Sequence, residues 1–139
     1  MFAVLLFAFS LIAGHLGTHQ QFDPRERFEV PARVRLSQRV MRSLMENQVV
    51  PNYPKDARKK RIHGTVILML AVDEKGRVSG AEVIAGDPLL ATSTVEAVKK
   101  VHFRPYYLNG EAVATEGQIS YLFKCLPKGR ATVSLVPLQ

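Results

Sequence analysis

Cysteine is nearly missing from this chain of 139 residues: Cys125 stands alone. An intrachain disulfide is therefore excluded, and so is any zinc site built on paired cysteines. His63 and His102 have no companions at metal-ligand spacing. A thiol nucleophile would need a positioned base and a third, orienting group. Cys125 instead ends an apolar strand pattern, where a free cysteine behaves as a small hydrophobe. The chain is read as a non-enzyme with no cofactor, no catalytic residue and no metal. Internal repeats and long proline-rich stretches are also missing.

Acidic charge is the scarce sign, with 12 Asp and Glu against 19 Lys and Arg, a net charge of +7. Such a balance suits nucleic acid, anionic lipid or an acidic protein partner. The densest run is Arg58-Lys59-Lys60-Arg61, and Tyr106-Tyr107 offers aromatic faces. No recognised nucleic-acid motif accompanies either. The basic run reads as a solvated helix face, and no nucleic-acid partner is expected.

Long apolar runs are confined to the first residues, Phe2 to Ala13. A membrane-spanning helix needs about 20 apolar residues, whereas the core of a signal peptide needs about 7–15. Residues 1–17 thus read as a signal peptide or a short anchor-like segment, although no Lys or Arg precedes the run. Residues 18–29 show no periodicity and read as a linker. Residues 30–126 form one domain, a size that can bury a core when 47% of the chain is hydrophobic. Residues 127–139 read as a tail.

Within the domain, Val34 and Leu36 alternate with Arg33 and Arg35, the pattern of an edge strand, while Met41–Val50 fits strand or helix equally. The Pro51-Asn52-Tyr53-Pro54 corner predicts a short helix starting at Pro54, with Asp56 near its start and the basic run at its end. Thr65–Val72 is apolar on both alternating sets, which predicts a strand covered on both faces. Asp73-Glu74-Lys75-Gly76 predicts a tight turn into an antiparallel partner ending at Ala85. Asp87-Pro88 caps a helix whose stripe is Leu90, Thr94, Ala97, Val98 and Val101. After an Asn109-Gly110 turn comes a last strand from Ala112, with Val113, Thr115, Ile119, Tyr121, Phe123 and Cys125 on one face. Ala114, Glu116, Gln118, Ser120 and Lys124 alternate with them toward water. Gly117 predicts a bulge or bend.

Tyr53-Pro54-Lys55-Asp56-Ala57-Arg58, Gly64-Thr65-Val66 and Val72-Asp73-Glu74-Lys75-Gly76-Arg77-Val78 resemble the opening half of a TonB C-terminal domain. Pro88-Leu89-Leu90, Ala97-Val98, Phe103-Arg104-Pro105, Asn109-Gly110-Glu111 and Tyr121-Leu122-Phe123 resemble its closing half. The likeness runs from Val49 to Lys124. It implies an α+β fold: a small antiparallel sheet of about three to four strands with two helices packed on one face. It also implies a periplasmic domain that grips the TonB box, an extended segment of an outer-membrane transporter, by strand addition along the last strand. The contacts it implies fall on Asn52, Tyr53, Pro54, Thr115, Gln118, Ser120, Leu122 and Lys124. Full transducers of this kind also engage ExbB and ExbD through an inner-membrane anchor, so those proteins are partners if residues 1–17 stay in the membrane. Two other readings stay open, an exported adaptor binding other segments without energy transduction and a basic nucleic-acid-binding module. An unpaired edge strand permits a homodimer.

Overall fold

A computed structural model describes residues 33–138. The expected export segment and linker lie outside the described residues. No described helix is long and apolar enough to cross a membrane.

Local chemistry sets the helices first. Ser37 caps α1 (Gln38–Leu44), its hydroxyl accepting from the Val40 amide. The ambiguous stretch Met41–Val50 thus resolves as helix through Leu44 and then, apart from an isolated bridge of Met45 to Phe103, as irregular chain. Pro54 is the N-cap of α2 (Lys55–Lys59), one position earlier in the helix frame than expected. Asp87 caps α3 (Pro88–Val98) by accepting from the Leu89 amide, and Leu90, Thr94, Ala97, Val98 and Val101 are buried as the stripe predicts.

The strands are β1 (Val34–Leu36), β2 (Gly64–Val72), β3 (Val78–Ala85), β4 (Tyr106–Leu108), β5 (Glu111–Val113), β6 (Thr115–Cys125) and β7 (Ala131–Leu135). β4 and β5 form a separate hairpin over Asn109-Gly110, both with positive φ (51° and 83°), as a two-residue mirror-type turn requires. The remaining five strands make one sheet, ordered β1-β6-β2-β3, with β7 also on β6. This is more strands than the three to four expected. It is also mixed, because β1 runs parallel to β6.

One face of that sheet carries the core. Val66, Leu68, Leu70 and Val72 of β2 and Ile119, Tyr121 and Phe123 of β6 are buried there. They join Met41 of α1, Ala57 of α2 and Leu90 and Val98 of α3 in a single cluster. Three helices, rather than two, therefore contribute to this core. The opposite side of β2 is not fully covered: Ile67, Met69 and Ala71 are only half-buried. The apolar alternate set of β2 predicts two covered faces, but among the described residues no helix lies over the second.

Gly117 is not a bulge. It pairs in regular register with Leu70 on one side and Leu36 on the other. A Cβ there would lie 2.2 Å from Met41 Cγ, so the glycine exists to let α1 seat against β6. Chain after Pro127, expected as a tail, folds back as β7.

Candidate partner-binding site

β6 organises the candidate site, and its two long sides are occupied differently. Along one side β2 pairs with it continuously, from Gly64 opposite Phe123 to Val72 opposite Thr115. Along the other, β1 covers Thr115 to Gly117 and β7 covers Tyr121 to Cys125. The Val136 amide donates to the Ser120 carbonyl at 2.9 Å, extending the β7 side by one bond. The last strand is thus an interior strand and not the open edge that the sequence suggests.

β7 is a short cover. It has five residues, alternating half-buried and exposed, and rests Val133 and Leu135 on the rim of the core. Beyond its ladder, Arg42 reaches across to donate to the Val136 carbonyl at 2.6 Å. A cavity of about 200 Å³ separates β7 from the chain at Gln48 to Val50, with Tyr121 as its floor.

Two tyrosines tie the Asn52–Pro54 corner and the chain before it to this end of β6. The Tyr53 ring meets Phe123 edge-on, centroids 5.3 Å apart. Its hydroxyl donates to the Ile62 carbonyl. The Cys125 thiol lies 3.1 Å from the same phenol oxygen. Desolvation first, then the contact with Cys125, pushes the Tyr53 phenol up to about 12. Burial pushes the Tyr121 phenol up to about 12 as well, and that hydroxyl donates to the Val49 carbonyl at 3.2 Å.

The expected contact residues divide. Asn52 and Lys124 are exposed, and Tyr53, Pro54, Gln118 and Leu122 are half-buried around the β7 end or the outer sheet face. Thr115 is buried and paired with Val34 of β1, so that part of β6 has no free edge. Ser120 is 6% exposed, not a solvent-facing rim residue; only its carbonyl is presented, to Val136. β7 escaped the sequence reading altogether. Its one signal is the alternation Thr132, Val133, Ser134, Leu135 after a Pro-Lys-Gly-Arg turn. Among the described residues, no group of His, Cys, Asp and Glu is placed to hold a metal ion.

Comparison with known proteins agrees with this geometry. Over 84 residues the chain is 36% identical to Protein TonB of Vibrio cholerae serotype O1, a match covering 59% of this chain and 34% of that protein. The chain therefore spans about a third of the length of the curated relative it matches. The solution NMR structure of the Pseudomonas aeruginosa TonB CTD superposes with a TM-score of 0.51 at 25% identity, covering 62% of this chain and 88% of that one. Residues 49–125, more than half of the chain, match the family model of the Gram-negative bacterial TonB protein C-terminal domain, and the chain belongs to that family.

Proposed function

We propose that this domain binds an extended segment of a TonB-dependent outer-membrane transporter, the TonB box, by strand exchange on β6. The incoming segment takes the place of β7 and pairs with Tyr121 to Cys125. The observation that carries this reading is the asymmetry of β6: one flank is built into the core, while the other is held at its C-terminal half by a five-residue strand. An extended peptide can satisfy the same N–H and C=O groups that β7 satisfies, so the ladder is conserved in the exchange. Leu122 and Lys124 then offer side chains along the new strand, Gln118 and Ser120 continue the main-chain ladder, and Asn52, Tyr53 and Pro54 border its end. Thr115 acts through its pairing with β1.

On this reading the domain works in the periplasm and contributes to energy-coupled transport. ExbB and ExbD are further partners where the N-terminal segment holds the chain in the inner membrane.

The test is an amide NMR titration with TonB-box peptides from transporters of the same organism. Saturable shifts at Tyr121–Cys125 and at the Asn52–Pro54 corner are expected, with loss of hydrogen-exchange protection in β7. Shifts confined to β3, or none at millimolar peptide, would sink the exchange.

A further inference from the structure

The cations of α2 and of the β6–β7 connection have no role in the reading above, and they share a cavity. About 520 Å³ in volume, it is lined by Arg58, Arg61, Lys128 and Arg130, with Leu126 and Pro127 adding apolar wall. No carboxylate lines it. Two ion pairs occur among the described residues, Arg35 with Glu116 and Arg77 with Asp73, and neither draws on these four side chains. None of the four makes a side-chain hydrogen bond to a described residue. Arg61 (φ 53°) is the left-handed residue that ends α2, where the Ile62 amide donates to the Ala57 carbonyl at 2.8 Å, and Lys128 (φ 61°) lies in the β6–β7 turn, so local backbone geometry fixes both.

Like charges brought to one cleft repel each other unless something neutralises them. Three guanidinium groups with unspent donors are matched to the tetrahedral oxygens of phosphate, with the lysine as a point charge beside them. The volume exceeds what one phosphate group fills, and the apolar wall suits carbon. We propose that this cleft binds a phosphate group carried on an organic body, gripped between α2 and its following turn on one side and the β6–β7 turn on the other. Because that turn leads directly into β7, an occupied cleft holds β7 on β6. This site does not depend on the peptide-binding reading: its ligand and its four basic residues are separate, and the two ligands move β7 exchange in opposite directions.

The experiment uses the full chain in zwitterionic micelles, titrated with inorganic phosphate at constant ionic strength and pH. Saturable amide shifts are expected at Arg58–Arg61 and Cys125–Arg130, with slower hydrogen exchange across Ala131–Leu135. R61Q and R130Q should each weaken binding about tenfold, the loss typical of one charge-assisted contact. These residues are exposed, so both variants retain the fold. A parallel arm compares phosphatidylglycerol with phosphatidylcholine vesicles. Saturation by free phosphate points to a soluble ligand, whereas binding only to the anionic vesicles assigns the headgroup. A response reproduced by chloride, or one indifferent to R61Q and R130Q, would overturn the proposal. So would a polyglutamate peptide that shifts these amides when phosphate does not.

Discussion

The two flanks of β6 carry the same backbone chemistry and differ in what stands behind it. On the β2 flank, ladder and core are one object. Val66, Leu68 and Leu70 are at most 1% exposed and pack with the side chains of α1, α2 and α3. On the other flank, β1 has three residues and β7 five, and β7 contributes only two rim side chains. Hydrogen bonds alone are a modest net contribution to stability, about 1 kcal/mol each. Apolar burial supplies the rest, so the β2 flank opens only with global unfolding, and the β7 flank opens locally.

Mutations can break that contrast. The largest effect is expected from Leu68→Ala on the β2 flank, about 2–5 kcal/mol by chemical denaturation, with every probe losing signal together. A loss confined to β7 would refute the division.

Alkaline titration probes the same contrast through Tyr121, whose phenol is raised from 10.0 to about 12. A raised folded-state value means the neutral phenol is favoured in the fold. Its stabilisation is full below the unfolded value near 10 and is lost as pH rises through 12, amounting to about 2–3 kcal/mol. The Tyr121→Phe variant should flatten that part of the pH–stability curve; an unchanged curve would assign the loss elsewhere.

Gly117→Ala tests the β1 flank. The added methyl meets Met41 Cγ, Met41 Sδ at 2.8 Å and the Leu36 carbonyl at 3.0 Å. Overpacking of this kind costs about 1–3 kcal/mol, and calorimetry should place it between the first two flank effects and the next.

Smallest is Val133→Ala on β7, about 1 kcal/mol or less in global stability because the side chain is only half-buried. It should nonetheless raise the exchange rate of the β7 amides selectively. Equal acceleration across β2 would mean that β7 and the core open as one unit.

How much of this was legible in the sequence follows the range of the interactions involved. α3 was readable because Asp87-Pro88 fixes its start locally and its stripe needs one apolar surface, whichever surface that is. The β2–β3 hairpin was readable because Asp73–Gly76 joins neighbours in the chain. The Asn109-Gly110 turn was equally local, but it closes a small separate hairpin, and the strand drawn from Ala112 is interrupted between Val113 and Thr115. Pairing of β1 with β6 joins residues about eighty apart, and no spacing rule announces it. The site suffered most from this. The alternation of β6 places Tyr121 and Phe123 inward correctly, yet says nothing about its neighbours in the plane of the sheet, which decide whether an edge is free. Ser120 shows the same gap: alternation sends it outward, but the sheet around it closes over the side chain.

Among the described residues, β3 is a sheet edge with its outer side unpaired over most of its length, and it carries one charged side chain, Glu82. Val83 and Ile84 beside it are 42% and 52% exposed, with no lysine or proline among its eight residues. Such an edge is a template for self-association that most proteins blunt with charge. Here the deterrent is the repulsion between whole molecules of net charge +7, which acts at a distance and weakens as salt shortens its reach from about 10 Å at 0.1 M to about 3 Å at 1 M. Colloidal behaviour of the protein is thereby tied to ionic strength, and light scattering along a salt series should show association rising with salt, unless β3 carries Val83→Lys.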